Sequence, residues 1–218
     1  MSTLDQEWIS IQSAMDTCSV CLSEELFKAT ESPPIRPGSP GNTGRILFLS
    51  EASPSTGGFW RIDNPDNLRS NLTSLLGIQS ESPRTAVDAF MEGKFFLLQS
   101  LKWPLVKTFN HLSPKQQRRL VEHSAQKHLR LEIDALKPRA ILAMGKAAWL
   151  SCRFLSGQWN DEAGEQFEQD LGKMHLMTVK GDETKWMTTY LIIGQNLRLR
   201  ERAEAISSHL KGFLQDVG

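Results

Sequence analysis

Four short apolar runs, each followed by a turn or a polar residue, constrain the fold of this chain more than any other feature. They are 45–50, 95–101, 140–144 and 187–193, and helical patterns lie between them. Runs of this length that are apolar throughout are typical of strands buried on both faces. Strands that alternate with helices build a parallel sheet covered by helices on each side. We therefore predict an α/β fold of three layers, αβα, around a short, mostly parallel, four-stranded sheet.

The chain has 218 residues, and we interpret all of them, 1–218, as a single domain. The segment 32–44 is rich in proline, glycine and serine, which is typical of a surface loop or linker. It divides an N-terminal helical arm, which with its loop spans 1–44, from an α/β core that spans 45–218. Within the core, Ser113 followed by Pro114 predicts the capped start of a helix that runs to about Leu136.

The charge of the chain is balanced, with 25 lysines and arginines against 25 aspartates and glutamates. A surface for nucleic acid must then be local rather than global. The segment 115–146 offers one, because it holds eight basic side chains against three acidic ones. The same segment is equally consistent with an ordinary solvated helix face.

Three cysteines, an odd and low number, indicate a reducing compartment, and we expect a cytoplasmic protein. No window approaches the ~18 consecutive apolar residues of a membrane span. Asp5 and Glu7 precede the first basic residue, which argues against a secretory signal. We expect no membrane partner, and we expect a monomer.

In a parallel sheet the ligand site lies beyond the carboxyl ends of the strands. Four loops meet that condition here, at 50–54, 102–104, 145–146 and 194–196. The first of them contains Glu51, and a carboxylate directly after a buried strand is unfavourable unless water, hydrogen bonds or a ligand receives it. Phe59 and Trp60 follow, with flat rings that could stack on a planar ligand. An ordinary strand–helix connection capped by a glutamate would present the same residues.

The blocks that carry these loops resemble the uracil-DNA glycosylase superfamily, and its iron–sulfur branch in particular. Residues 45–54, RILFLSEASP, resemble the first motif, a hydrophobic strand that runs into a Gly-Glu-Ala-Pro-Gly-like loop. Residues 96–104 and 136–148 resemble the second-strand and third-strand blocks, and CSVCL at 18–22 resembles the opening Cys-x-x-Cys-Leu. The blocks follow the order and separations of the family and span most of the chain. The resemblance implies a uracil-DNA-glycosylase-like fold.

The chain departs from that branch at its cluster ligands. The branch completes its iron–sulfur cluster with two further cysteines, and the matching positions here are Trp103 and Ala125. Two thiolates cannot hold a four-cysteine cluster, so we interpret Cys18 and Cys21 as the relic of a lost site and expect no metal and no cofactor. The alternative is a zinc site completed by His123 or His128, because Zn²⁺ accepts two cysteines and two histidines.

Two further departures concern the base. The family usually carries a histidine after its last strand, which donates to the base carbonyl, whereas this chain has Gln195 and Asn196 there. Their neutral amides stabilise negative charge less well than a charged donor. Gln99 stands near the asparagine with which the family reads the base, and it offers the same donor–acceptor pair on a longer side chain. Uracil is the family default, but these changes favour a bulkier or modified pyrimidine, such as a hypermodified cytosine in viral DNA.

The resemblance implies a DNA N-glycosylase, which flips a nucleotide out of DNA and hydrolyses its glycosidic bond to leave an abasic site. Glu51 would be the catalytic carboxylate, and Gln195 and Asn196 would donate to the departing base. The other expected site residues contact either the base or the phosphates of DNA. The base contacts are Ala52, Ser53, Pro54, Phe59 and Gln99, and the phosphate contacts are Arg139, Lys146, Arg198 and Arg200.

Two other classes of function stay open. A glycosylase fold that has lost its chemistry would still bind nucleic acid, and the missing histidine favours this alternative. The second is a nucleotide-handling α/β enzyme unrelated to DNA. It lacks support, because the chain contains neither G-x-x-x-x-G-K-[ST] nor G-x-G-x-x-G.

Overall fold

The computed structural model describes residues 2–28, 36–52, 58–159 and 166–218. Its centre is a five-stranded sheet in the order β2-β1-β3-β5-β4. The strands are β1 (Ile46–Ala52), β2 (Phe95–Leu101), β3 (Ala140–Met144), β4 (Met174–Val179) and β5 (Asp182–Thr189). β1, β2, β3 and β5 are parallel, and β4 pairs with β5 in the antiparallel direction. The α/β class and the mostly parallel sheet are confirmed.

The expected number of four strands was too low, because β4 escaped detection. β4 is an edge strand whose side chains are mostly half-buried or exposed, so it lacks the continuous apolar run of the central strands. Two residues, Lys180 and Gly181, connect it to β5, and both have positive φ. That is the backbone of a tight β-hairpin turn.

Helices cover both faces of the sheet. They are α1 (Thr3–Asp16), α2 (Ser19–Ser23), α3 (Asn67–Leu75), α4 (Pro83–Glu92), α5 (Pro114–Ser124), α6 (Arg130–Leu136), α7 (Lys146–Leu155), α8 (Phe167–Asp170), α9 (Gly194–Arg198) and α10 (Arg200–Val217). A 3₁₀ turn, Phe109–His111, precedes α5, and a π turn, Ala125–Leu129, joins α5 to α6. Among the residues that the structure describes, no helix combines the length and apolar character needed to cross a membrane.

Two hydrophobic clusters on opposite faces of the sheet make up the core. Leu47 and Leu49 of β1 belong to the first cluster, which also contains residues of α1, α5, α6 and α7. Ile46 and Phe48 belong to the second, beneath α3, α4 and α10. Successive side chains of a strand point to opposite faces, so one strand contributes to both clusters. This arrangement gives the three layers that the apolar runs predict.

The N-terminal arm packs against the first cluster. Trp8, Ile11 and Met15 of α1 are buried there, at the spacing that aligns residues on one face of a helix. Farther along the arm, the amide of Lys28 donates to the carbonyl of Pro104 at 2.8 Å. The loop that follows β2 therefore contacts the arm directly.

Candidate functional site

The carboxyl ends of the parallel strands border a cleft of about 550 Å³. β2 and β3 lie on opposite sides of β1, so the chain reverses its direction of travel across the sheet beside β1. Ligands of parallel sheets bind at such a reversal. Four of the residues predicted for the site line this cleft, namely Glu51, Lys146, Gln195 and Asn196. They come from three different loops, at the ends of β1, β3 and β5.

Glu51 stands half-buried near the end of β1, within the cleft. Burial raises its pKa, and a hydrogen bond from the backbone of Phe109 opposes that shift. A Cβ at Gly145 would be tight against the Cβ of Leu191, at 3.2 Å, and in ordinary contact with Glu51 Oε2, at 3.8 Å. The φ of Gly145 is 88°, a conformation that favours glycine. A carboxylate with a raised pKa is suited to accepting a proton near neutral pH.

Asn196 is engaged within the protein. Its Nδ2 donates to the carbonyl of Leu191 at 2.8 Å, and its Oδ1 accepts from Arg202 Nη1 at 2.9 Å. The amide therefore orients Arg202, a cleft residue that the sequence analysis missed, and does not point freely at a ligand. Gln195 is exposed and lines the cleft. Of the two predicted amide donors, Gln195 is the one that a ligand can reach without breaking these bonds.

The cleft is lined by aromatic side chains other than Phe59, the one predicted to stack on the base. Phe59 is only 1% exposed and packs in the second cluster, with ring centroids 5.1 Å from Trp60 and 4.9 Å from Phe90. Its expected role in stacking on a base is therefore not available in this structure. Phe167 and Tyr190 line the cleft instead, and their ring centroids are 6.1 Å apart.

Gln99 is also outside the cleft. It is 8% exposed and pairs in register with Ser50. Since side chains alternate along a strand, Gln99 projects on the same face as Leu97, which belongs to the second cluster. Glu51 projects on the opposite face, as Leu49 does. Gln99 and Glu51 therefore project from opposite faces of the sheet, and the two side chains do not meet around one base as predicted.

The remaining predicted base contacts lie in the first loop. Ser53 and Pro54 fall outside the residues that the structure describes. Ala52 is half-buried and lines a smaller hollow of about 300 Å³, which Glu51 also borders.

The predicted phosphate contacts divide between the two edges of the sheet. Lys146 lines the cleft, and Arg198 is exposed at the end of α9. Arg200 is exposed and pairs with Glu204 at 2.8 Å. Arg139 precedes β3 and lies at the amino edge, about 16 Å from the carboxyl edge for five residues at ~3.3 Å each. Because Arg139 comes before β3 and not after it, it does not lie beside the cleft, and its contact with a phosphate of DNA stays a prediction.

Much of the basic segment 115–146 serves the fold. Arg118 pairs with Glu122, and Arg119 pairs with Glu24 of the arm, each at 2.7 Å. Arg130 donates to main-chain carbonyls at two other places. These contacts favour the interpretation of the segment 115–146 as an ordinary helix face over its interpretation as a continuous surface for DNA.

A histidine that the sequence analysis did not assign also lines the cleft. His111 ends the 3₁₀ turn, and its Nδ1 lies 2.9 Å from the hydroxyl of Thr108. It lies in the loop between β2 and α5 rather than after the last strand, where the family carries its histidine.

A second group of reactive side chains joins the arm to α5 and the π turn. Cys18, Cys21, His123 and His128, here called the Cys₂His₂ cluster, each bring one potential ligand atom within 4.8 Å of the others. Nε2 of His123 lies 3.5 Å from Sγ of Cys18 and 3.4 Å from Sγ of Cys21. Nε2 of His128 lies 3.4 Å from Sγ of Cys21. Such a set could hold one metal ion, which favours the zinc alternative over the interpretation of the two cysteines as a relic.

The π turn places the two histidines together. His123 and His128 are five residues apart, which in a regular α-helix would separate them by about 140° around the axis. His128 lies within the π turn 125–129, and the centroids of the two rings are 5.5 Å apart. The single helix predicted to Leu136 is therefore interrupted. Such π turns occur mostly as single turns within α-helices, frequently at functional sites.

Burial controls the protonation of this cluster. It raises the pKa of Cys21 to about 12 and lowers the pKa of His128 to about 4. It also lowers the pKa of His123. Both imidazoles are then neutral at pH 7, the form that binds metals, and the Cys21 thiol would lose its proton on binding a metal ion.

The loop 102–104 belongs to this second region and not to the cleft. Lys102 forms a buried ion pair with Glu132, and the two side chains are 3% and 2% exposed. Gln12 of α1 donates to the other oxygen of Glu132 at 3.1 Å. Of the four loops expected to build one site, this one therefore faces the arm.

No protein-family model matches the chain, and no curated protein matches its sequence.

Proposed function

We propose that this chain is a DNA N-glycosylase with a uracil-DNA-glycosylase-like fold, which hydrolyses the glycosidic bond of a flipped pyrimidine nucleotide. The order of the sequence blocks that resemble the superfamily supports this proposal. The structural observation that carries it is the position of Glu51, half-buried at the reversal point of the sheet, in a cleft of about 550 Å³. That the protein is cytoplasmic stays a prediction.

Hydrolysis needs a negative group near the sugar. As the glycosidic bond breaks, its electron pair leaves with the base, and positive charge develops on the sugar. The Glu51 carboxylate would stabilise that charge and accept a proton from the water whose oxygen attacks the sugar carbon. Its raised pKa brings proton transfer closer to neutral pH.

The departing base needs positive charge or hydrogen-bond donors near the atoms on which its negative charge develops. Lys146 begins α7 and lines the same cleft as Glu51. The N-terminus of a ten-residue helix carries partial positive charge and free amide donors. Gln195 and His111 are two further donors among the residues that border the cleft. Together they could replace the histidine that the family places after its last strand.

The dimensions of the cleft suit one extruded nucleotide. Its volume lies within the range of about 300–1,000 Å³ that small-molecule sites occupy. Phe167 and Tyr190 supply aromatic surfaces, and Arg202 lies over the Tyr190 ring at 5.0 Å. The space accommodates a pyrimidine with or without an added group, so a modified base fits as substrate.

The test is base release from a panel of oligonucleotides that carry uracil, 5-hydroxymethylcytosine or larger cytosine modifications. Abasic sites are detected as alkali-labile breaks, and the free base is identified by mass spectrometry. We expect Glu51→Gln to reduce base release by about 10²–10⁴-fold while DNA binding persists. The matched control is Glu183→Gln, the same change at an exposed position of β5.

The outcomes separate the two DNA-based functions. Base release that Glu51→Gln leaves near the wild-type rate would remove Glu51 from catalysis. DNA binding without release of a base from any substrate, including intact viral genomes with modified bases, would support the alternative of a binding protein with a glycosylase fold.

A further inference from the structure

We infer that Cys18, Cys21, His123 and His128 bind one structural Zn²⁺ ion, which fastens the N-terminal arm to the α/β core. The inference is independent of the proposed glycosylase activity, because none of the four residues lines the cleft. It starts from the distances between the donor atoms.

Three of the six distances between the donor atoms are those that a tetrahedral zinc ion would set, and all six are within 4.8 Å. Bond lengths of about 2.3 Å to sulfur and 2.0–2.1 Å to nitrogen, at the tetrahedral angle, separate sulfur from nitrogen by about 3.5 Å. The three measured separations are 3.4, 3.4 and 3.5 Å. They connect all four residues in one continuous set.

Hydrogen bonds alone account poorly for the same distances. Nε2 of His123 is close to two sulfur atoms at once, although a ring nitrogen has one hydrogen or one lone pair to offer. Sγ of Cys21 is also close to two ring nitrogens, but a thiol can donate to one and accept from the other. The double contact at Nε2 of His123 is what a common central ion would produce.

The donor set also identifies the metal. Two thiolates with two imidazoles in a tetrahedral arrangement are typical of zinc, whereas magnesium and calcium prefer oxygen ligands. A two-iron cluster with the same four ligands would place the thiolates on one iron and the imidazoles on the other. Each histidine here instead lies within 3.5 Å of a cysteine. A four-iron cluster is held by four thiolates, and the chain has only three cysteines.

The site is of the structural kind. Four protein ligands leave a tetrahedral zinc ion no open position for a substrate. Two ligands come from the five-residue segment around α2 and two from the middle of the chain, 105 residues farther on for the pair Cys18 and His123. A helix as short as α2 is not stable by itself. The ion would therefore hold α2 in place against α5.

The experiment uses the full-length chain, purified after growth in medium with added zinc and iron. Elemental analysis should find one zinc ion per chain. Replacement by Co²⁺ should give the visible bands of a tetrahedral site and a thiolate charge-transfer band in the near ultraviolet. Cys21→Ser and His128→Gln should reduce the bound zinc to background, and Cys152→Ala, which removes the buried cysteine outside the cluster, should retain it.

The expected structural effect concerns the arm. Removal of zinc by a chelator should make residues 2–28 the first target of limited proteolysis. Zinc at background level in the wild-type chain would overturn the inference, whether or not any variant folds. Iron with acid-labile sulfide would overturn it as well, and so would full zinc content in the double variant Cys18→Ser/Cys21→Ser. None of these readouts depends on base release, so this inference and the proposed function can fail separately.

Discussion

The Cys₂His₂ cluster and the cleft both gather titratable side chains from distant parts of the chain, but their geometry is opposite. In the cluster, four donor atoms lie within 4.8 Å of one another. In the cleft, Glu51, Lys146 and Arg202 are spread around a space of about 550 Å³. Four donors that converge on one ion fill its coordination positions, so no position is left for a substrate. Polar groups spread around a cleft can instead bind a substrate between them. Under the two proposals above, the first geometry suits a site that holds the fold, and the second suits a site that reacts.

The loop between β2 and α5 connects these two regions. At its start, Lys102 is buried against Glu132, and Pro104 accepts a hydrogen bond from the arm. A few residues later, Thr108 and His111 line the cleft. Zinc that fixes the arm would therefore also steady one wall of the cleft, through a single short stretch of backbone.

The largest expected effect is a difference in stability between two lysine-to-methionine substitutions, one in the region that faces the arm and one in the cleft. Lys102→Met should lower the free energy of unfolding by about 3–5 kcal/mol, because it leaves the buried Glu132 without its cation. Lys146→Met, in the open cleft, should change that free energy by no more than about 0.5 kcal/mol. Urea unfolding monitored by circular dichroism measures both.

A second substitution checks the cause. In the double variant Lys102→Met/Glu132→Leu no charge is left unpaired, so most of the lost stability should return. Burial lowers the pKa of Lys102, and Glu132 acts against that shift. If the double variant is as unstable as Lys102→Met, the loss comes from packing and not from an isolated charge.

Salt-dependent DNA binding gives the next effect in size, and it compares the two edges of the sheet. Two phosphate contacts contribute about −1.8 to the slope of log K against log salt. Lys146→Ala/Arg198→Ala, at the carboxyl edge, should remove that contribution. The loss of DNA affinity between 50 and 200 mM salt should then be about tenfold smaller than in the wild type. Lys137→Ala/Arg139→Ala, before β3 at the amino edge, should leave the slope unchanged. The reverse result would move the DNA surface to the amino edge.

The sequence predicted the buried strands well and the margins of the sheet poorly. The bounds of β2 and β3 agree with the predicted runs. β5 begins five residues before its predicted run and also ends four residues before the end of that run. Its first residues, Asp182 to Thr184, are polar at the hairpin with β4. Apolar runs report burial on both faces, so they cannot reveal an edge strand. The alternation that flanks the Lys180-Gly181 turn was the available signal.

Of the candidate sites, only the residues that directly follow strand ends could be predicted from the sequence. The rule that ligands bind at carboxyl ends brought Glu51, Lys146 and Gln195 to one cleft. It did not indicate that Phe59 is core, which depends on packing against Phe90. The metal cluster was harder still, because a separation of five residues matches no face of a regular helix. Only the π turn puts His123 and His128 side by side.

The smallest expected effect concerns the stability of the cleft itself. Burial raises the folded-state pKa of Glu51 above the ordinary value, so the ionised carboxylate destabilises the folded state. This penalty is fully present above the folded pKa, and it fades as pH falls and the folded state binds a proton before the unfolded state does. Glu51→Gln removes the charge and should therefore raise the free energy of unfolding by about 1 kcal/mol at pH 8. The gain over the wild type should shrink steadily toward pH 4, whereas Glu183→Gln should show no such trend. Thermal and urea unfolding of the three proteins across this pH range measure the difference. A Glu51→Gln variant that is less stable than the wild type at pH 8 would mean that the carboxylate holds the cleft together, and the contrast between a holding cluster and a reacting cleft would then fail at its central residue.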